Sequence, residues 1–496
     1  MSFLGVDLGT SSVKLLLLNK AGSVLRTVSK EYPVYYPKVG WAEQSPMDWW
    51  NAVREGIQEI LTEPQNILSK VEGIGLSGQM HGLVLLDKDN HVLMPALLWC
   101  DQRTQKECEE LSERLGDKLS EYTGNKALTG FTAPKVLWVR KNRPEIYEQI
   151  EHVLLPKDYI RWKLTGEYAT DTSDASGTLF FDVAHRCWSS EMLDILGLSE
   201  ENLPTCYESY EITGSVTEQA AQETGLHSGT IVVGGGGDQA SGAVGTGVVT
   251  AGTVSVALGT SGVVFACQEN YSVDSENHLH SFCHANGKWH VMGVMLSAAS
   301  CLKWWVEEVC QFDDAGYAVL LQEAATVPAG SEGLLFLPYL MGERTPYSNP
   351  NARGTFIGLS MTHGRGHMTR AILEGVGFGL RDSLEIIREQ HIPIYEVRLS
   401  GGGAKSVLWR QILADILALP IHVVNSAEGP AFGAAILAAV GVGAFSDMEE
   451  ACSVMIKAME QTEPIAANLE KYNSLYGVYR QLYSALQDSF EKLSVI

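Results

Sequence analysis

The sequence predicts an α/β protein made of two domains of related architecture, and three observations predict it. Short apolar strands alternate with helical stretches along the whole of its 496 residues. A strand, a Gly-Thr-Ser turn and a second strand open the chain (Phe3–Leu8, Gly9-Thr10-Ser11, Val13–Leu18) and return at Val254–Leu258, Gly259-Thr260-Ser261 and Val263–Ala266. Each copy heads one half of a chain whose length suits several domains at roughly 100–200 residues each. The expected division is therefore residues 1–248 and 249–496.

The elements follow in order. The opening hairpin leads through the turn Asn19–Gly22 to a third strand at Val24–Lys30. Ser45-Pro46 opens a helix, because proline suits a first helical turn whose amides lack partners anyway. Val71–Leu76 reads as a short buried strand with Leu83–Leu86 as its return, and Leu93–Trp99 as another apolar stretch. Tyr147–Trp162 reads as helix, strand and helix broken at Pro156, and Ile231–Val233 as a strand running into four glycines. Beyond the repeated hairpin come a strand at Val397–Leu399, a helix over Lys405–Ala418, a strand at Ile421–Val424 and an Ala-rich helix. Tyr472, Tyr476, Tyr479, Tyr483, Leu486 and Phe490 fall at helical spacing, a stripe that would dock a last helix on the body.

Composition narrows the partners. Acidic residues outnumber basic ones 59 to 36, a net charge of −23. That field repels nucleic-acid backbones and anionic lipid, so neither nucleic acid nor membrane is an expected partner. Nine cysteines at irregular spacing, with no CxxC pair, read as reduced thiols of a cytoplasmic protein. Met1–Leu8 lacks the basic start of a signal peptide. Gly429–Phe445 is apolar or small, but it is Ala/Gly-rich, bracketed by Glu428 and Asp447, and shorter than the roughly 20 residues of a span. It reads as a closely packed buried helix.

Three glycine-rich turns each follow an apolar strand: Asp7–Ser11, Leu258–Gly262 and Gly401-Gly402-Gly403-Ala404-Lys405. Glycine lets backbone amides approach an oxyanion and adjacent hydroxyls add donors. Each alone fits a plain tight turn; together, two of them Gly-Thr-Ser, they point to phosphate. Asp7, ending a strand beside the first turn, either caps it or helps hold hydrated Mg²⁺, which favours carboxylate oxygens. Asp238 follows Gly234–Gly237 at a helix start and reads equally as an N-cap or as a base beside a closely approaching substrate. Gln79-Met80-His81 and the cluster Trp99, Asp101 and Arg103 are candidate contacts for a polyol, although an ion pair explains Asp101 and Arg103 as well. Gly73, Gly75 and Gly78 fit GxGxxG, but the pattern begins inside a strand instead of opening a helix. His278, His280, Cys283 and His284 lack the second cluster of a zinc site. Gly364 and Gly366 argue that His363 and His367 lie in a loop.

Taken together, these motifs resemble the FGGY family of carbohydrate kinases over nearly the whole chain. Asp7–Lys14 (DLGTSSVK) resembles the family's first phosphate motif, and Gly130–Asn142 (GFTAPKVLWVRKN) a family signature. Gly235–Ala243 (GGGDQASGA) resembles the catalytic-base segment, Leu258–Gly262 the second phosphate motif and Gly401–Ser406 the adenosine motif. QMHG, HSFCH and FLPYLMGERTP are similar to the branch acting on D-xylulose. The resemblance implies two ribonuclease H-like domains of the actin and sugar-kinase superfamily flanking a catalytic cleft. It implies ATP and Mg²⁺ as cofactors, D-xylulose as substrate and a homodimer. Asp238 would be the general base and Asp7 would organise Mg²⁺. Gln79, Met80, His81, Trp99, Asp101 and Gln239 would lie at the sugar. Gly9, Thr10, Ser11, Lys14, Gly259, Thr260, Ser261, Gly401, Gly402, Gly403 and Ala404 would hold the nucleotide. Gln239 departs from the pattern, since asparagine is common there. Two alternatives stay open at this point: a kinase for ribulose, gluconate or glycerol, and a non-catalytic ATP-switched module of the actin type.

Overall fold

A computed structural model describes residues 1–62, 71–425 and 429–495; Glu428, one flank of the Ala-rich helix, lies outside them. Two seven-stranded sheets carry the chain. The first is built on β1 (Ser2–Leu8), β2 (Ser12–Asn19), β3 (Val24–Glu31), β4 (Val71–Gly78) and β5 (Ile231–Val233). The second is built on β6 (Gly252–Leu258), β7 (Gly262–Gln268), β8 (Trp289–Met295), β9 (Ile394–Ser400) and β10 (Ile421–Val424). In the first, β3, β2 and β1 pair antiparallel, then β4 and β5 join parallel. In the second, β8, β7 and β6 pair antiparallel and β9 and β10 join parallel. The same order and the same directions recur, so the repeated hairpin is the visible part of a repeated five-stranded unit.

Helices cover both sheets. The ones that matter for the site are α1 (Pro46–Leu61), α2 (Thr132–Asn142), α3 (Pro156–Thr165), α4 (Asp238–Thr246), α5 (Arg365–Glu389), α6 (Val407–Leu417), α7 (Gly429–Gly441) and α8 (Ala466–Ser494). Strand alternation divides β1 between two layers. Leu4, Val6 and Leu8 join Trp49, Val53 and Ile57 of α1 in one core, each such side chain contributing about 1.5–3 kcal/mol. Phe3 packs instead with Phe432, Ala435 and Ile436 of α7. On that same face, a Cβ on Gly5 would stand 1.9 Å from the Ala431 carbonyl oxygen, and one on Gly75 1.9 Å from that of Ala434. The strand glycines of the GxGxxG pattern therefore let a helix lie directly on the sheet, which accounts for them without a nucleotide.

α7, from the second half of the sequence, thus covers the first sheet and also crosses α4. The crossing is made by small residues: a Cβ on Gly433 would meet the Ser241 carbonyl oxygen at 1.8 Å, and one on Gly245 that of Gly429 at 2.0 Å. These two helices follow the fifth strand of each repeat, so they join the two halves at equivalent places.

Several expectations need correction. Leu83–Leu86 is not the return of β4; Val84–Leu86 pairs with His152–Leu154 in a separate ribbon. Only Ala96–Leu97 of the Leu93–Trp99 stretch is a strand, paired to Glu43–Gln44. Pro156 starts α3 rather than breaking a helix, as its fixed φ allows at a first position. His367 lies in the first turn of α5 and not in a loop. All nine cysteines are free. Among the described residues, no helix is long and apolar enough to cross a membrane. The tyrosine stripe of α8 is buried, with Tyr472 and Tyr476 donating to Glu374 and Asp382 of α5 at 2.7 Å each.

Candidate active site

The C-terminal ends of β1, β4 and β6 and of the short strand Gly236–Gly237 carry the site. Asp7 and Ser77 are register partners on β1 and β4, and Gly236 pairs with Ser77 from the other side. Asp7 and Asp238 thus lie beyond strands two spacings apart, about 10 Å. Ser77 Oγ donates to Asp7 Oδ1 at 3.0 Å, and Lys14 is the cross-strand partner of Asp7 on the same face.

Asp238 is the first residue of α4, with Gly237 at the N-cap, so its carboxylate is not used as the cap. It is half-buried and still meets solvent. Burial, and then the charge of Asp7, push its pKa up to about 7, while the backbone N–H and side chain of Gln239 pull the other way. Its backbone is anchored from beneath. Ser173 Oγ accepts from the Gly237 N–H at 3.2 Å, and Arg161 donates to the carbonyls of Val233 and Gly234 at 2.5 Å each. Lys157 sits among Asp158, Asp171 and Asp174 at 2.7, 2.8 and 3.2 Å in the same buried layer. A buried charge needs such pairing to remain charged.

The first turn is held by side chains from four elements. Tyr32 and Gln79 donate to the Gly9 carbonyl at 2.5 and 3.4 Å, Gln44 to the Thr10 carbonyl at 2.6 Å, and the Trp99 indole to Thr10 Oγ1 at 2.9 Å. Gln79 and Trp99, expected at the sugar, thus bond to the Gly9-Thr10-Ser11 turn, although the Trp99 ring remains open to solvent. Asp101 is a correction: it is fully buried, and its two oxygens take Arg103 and the Ala42 N–H. The pair with Arg103 forms, but it is buried, unlike the surface ion pair of the alternative reading.

Gly259, Thr260 and Ser261 form the second turn. It is pinned by Ala299 N–H to the Gly259 carbonyl (2.8 Å) and Ala298 N–H to that of Thr260 (2.9 Å). The third turn closes on it: Gly401 takes a left-handed φ of 86°, where a Cβ would meet the Leu258 carbonyl oxygen at 2.5 Å. Between the two turns opens a cavity of about 550 Å³ lined by Thr260, Gly402, Gly403 and Lys405, with Leu302, Tyr317, Ala318 and Leu321 on its apolar side. Glycine amides at one end and an apolar slot at the other suit a phosphorylated planar base. Most of the apolar wall, Tyr317, Ala318 and Leu321, comes from a helix over Asp314–Thr326 that carries no motif, which is why the sequence did not disclose it.

Met80 is buried beside Gly237, where a Cβ would meet its side chain at 2.8 Å. His81 holds a left-handed φ of 68°, unusual for a residue with a Cβ. It persists because the surroundings fix it. Thr132 Oγ1 and Lys135 Nζ donate to its carbonyl at 3.1 and 2.8 Å, and its Nδ1 lies 2.6 Å from the Gly177 carbonyl oxygen. Lys135, within the Gly130–Asn142 segment, thus ties that helix to the His81 backbone, and burial pulls its pKa down to about 7. Burial likewise pulls His81 down to about 3, so its ring is neutral. Phe131 and Phe282 stand 4.7 and 6.2 Å from that ring.

Two glycine-hydroxyl turns at equivalent strand ends of a duplicated fold, with a carboxylate of raised pKa and a neutral histidine at the neighbouring strand ends, outline a phosphotransferase cleft. The chain belongs to the FGGY family of carbohydrate kinases: its N-terminal domain model matches residues 2–245 and its C-terminal domain model residues 254–442. Curated relatives named xylulose kinase include one from Escherichia coli, 42% identical over 98% of this chain and 99% of its own. Another, from Bacillus subtilis, is 39% identical over 98% and 97%. The crystal structure described as a xyloylose kinase from Brucella ovis superposes with a TM-score of 0.93 at 40% identity, covering 98% of this chain and all of that one.

Proposed function

We propose that the cleft transfers the terminal phosphoryl group of ATP to the terminal hydroxyl of D-xylulose, giving D-xylulose 5-phosphate. The observation that carries the chemistry is Asp238, a carboxylate at the cleft whose proton affinity lies near neutrality. The full-length similarity to chains named xylulose kinase supports the choice of sugar.

A neutral hydroxyl is a weak nucleophile, and taking its proton as it attacks contributes about 10²–10⁴-fold. Asp238 takes that proton. The Gly9 and Gly259 amides close their turns on the Ser12 and Ser261 carbonyls, which leaves Thr10 and Thr260 at the turn tips to meet the phosphates, and the Gly401–Ala404 turn with the apolar slot holds the nucleoside. Alignment of hydroxyl, phosphorus and leaving oxygen supplies the larger share. The Asp7 charge raises the proton affinity of Asp238, and a carboxylate such as Asp7 suits a hard divalent cation. Asp7 would hold hydrated Mg²⁺, which would neutralise phosphate oxygens there. His81 donates through Nδ1 to Gly177, which leaves its Nε2 lone pair to accept from a sugar hydroxyl. Water competes with the sugar, so closure of the two halves about α4 and α7 guards the phosphate. A homodimer in the cytoplasm, implied by the family resemblance, completes this reading, and light scattering checks the dimer.

A coupled ADP-release assay over D-xylulose, ribulose, gluconate and glycerol tests the substrate. D-xylulose is expected to give the highest kcat/KM; equal turnover without any sugar would instead favour the ATP-switch alternative. The pH profile follows from the raised Asp238 pKa. The base works ionised, so kcat/KM for the sugar falls as pH drops through about 7. In Asp7→Asn, whose residual rate is measured at enzyme excess, the acid limb moves to lower pH because one raising charge is gone. An unmoved limb would show that the titrating group is not Asp238.

A further inference from the structure

Two imidazoles from opposite halves of the chain have their tautomers fixed by the protein around them. His81 Nδ1 faces the Gly177 carbonyl at 2.6 Å; a carbonyl only accepts, so Nδ1 carries the hydrogen. His280 Nδ1 faces Asn125 Oδ1 at 2.9 Å. Asn125 Nδ2 donates to the carbonyls of Thr123 and Ser281 at 2.9 and 3.0 Å, which orients the amide with its oxygen towards His280. His280 Nδ1 therefore also carries the hydrogen. Both rings keep an Nε2 lone pair. Both pack on Phe131, at centroid distances of 4.7 Å for His81 and 5.8 Å for His280, and Phe282 stacks on His280 at 5.6 Å. Burial holds both imidazoles neutral.

The third group is Arg344. Its segment is pinned beside His280: the Thr345 N–H donates to the Val294 carbonyl at 3.0 Å, and Thr345 Oγ1 to the His278 carbonyl at 3.1 Å. Glu343, next to it, spends Oε1 on the N–H groups of Arg344 and Leu296 at 2.7 and 2.9 Å. The Arg344 side chain is half-buried, and its guanidinium has no hydrogen-bond or ion-pair partner among the described residues. Its charge is felt by both His81 and His280. A half-buried guanidinium left unpartnered on a segment pinned next to the His280 strand is a donor awaiting an occupant.

We propose that His280 and Arg344 complete the sugar pocket from the second half of the chain, the imidazole accepting from one sugar hydroxyl and the guanidinium donating to a neighbouring oxygen. This rests on reading the cleft as a D-xylulose kinase and adds what selects the sugar. A hydroxyl has a hydrogen for each Nε2. The carboxylate of a hexonate could pair with Arg344 but has no hydrogen for the imidazoles, so discrimination against it falls to His81 and His280, whose acceptors it would leave unpaired. Because Asn125 of the first half orients His280 of the second, the pocket is whole only when the halves meet.

The test is steady-state kinetics of His280→Phe, which keeps the stacking and loses the lone pair, and of Arg344→Met. Each is expected to raise the KM for D-xylulose about tenfold or more and to leave the KM for ATP within about twofold. His280→Gln, which restores an acceptor, should recover part of the loss, and kcat/KM for gluconate relative to D-xylulose should rise in His280→Phe. Affinity for a non-hydrolysable ATP analogue reports that each variant is folded. Unchanged sugar KM in both variants, or equal rises for sugar and ATP, overturns the proposal; a rise in only one removes the other residue from the pocket. Wild-type protein that phosphorylates gluconate but not D-xylulose would overturn the functional reading itself, and the inference with it.

Discussion

Asp238→Asn is expected to lower kcat by about 10²–10⁴-fold while leaving affinity for ATP and D-xylulose within a fewfold of wild type. The amide keeps the shape and the hydrogen bonds of the carboxylate but cannot take a proton. The same variant should be more stable. Asp238 has its folded pKa raised from the ordinary carboxylate value to about 7. The folded state therefore binds more protons than the unfolded one between about pH 4 and 7, so the ionised carboxylate costs stability at and above pH 7, and that cost disappears as pH falls. Solvent still reaches the group, so the gain in Asp238→Asn is on the order of 1–2 kcal/mol at pH 8, less than the full shift would give, and it shrinks towards pH 5. Activity measured by ADP release and thermal unfolding at both pH values check the two halves. An active variant, or one destabilised at pH 8, contradicts the assignment.

The second large effect lies where α7 meets α4 and the first sheet. Gly433→Ala places a Cβ 1.8 Å from the Ser241 carbonyl oxygen, and Gly75→Ala places one 1.9 Å from that of Ala434. Both obstacles are backbone, which a rotamer change does not relieve; the helix itself must move. Overpacking of this kind costs about 1–3 kcal/mol or more, and Gly433→Ala should also impair closure because it wedges the crossing that joins the halves. Gly477→Ala is the contrast: it lies inside α8 with nothing within 4 Å of the added atom, and should stabilise by about 0.5–1 kcal/mol. Opposite shifts in unfolding midpoint are expected. A stabilisation shared by Gly433→Ala and Gly477→Ala would mean that helix propensity, and not close approach, governs these helix glycines.

The sequence disclosed what local pattern controls. β5 and β10 fall where their apolar residues place them, and the strands of the hairpins β1–β2 and β6–β7 are one to three residues longer than read, because ladder pairing continues past the last apolar side chain. The repeat of Gly9-Thr10-Ser11 at Gly259-Thr260-Ser261 foretold two equivalent sheets, since the turn that heads each unit needs the same backbone. Partners distant in sequence were not legible. Leu83–Leu86 has the composition of a sheet strand, yet its ladder partner is His152–Leu154, and no local rule distinguishes the two. Asp101 and Gln79 are polar residues after strands, as sugar ligands often are, but tertiary packing gives Asp101 to Arg103 and Gln79 to Gly9 and Gln44. Tyr317 lines the cavity between the second and third turns from a helix that carries no motif, so only the folded second half reveals it.

The central claim is that the sugar's terminal hydroxyl meets the Asp238 carboxylate between the two halves. A crystal structure with D-xylulose, Mg²⁺ and a non-hydrolysable ATP analogue tests it most directly. The expected result is that hydroxyl within about 2.6–3.2 Å of an Asp238 oxygen and in line with the terminal phosphorus. A sugar bound with that hydroxyl turned away from Asp238, towards solvent or another carboxylate, would contradict the account.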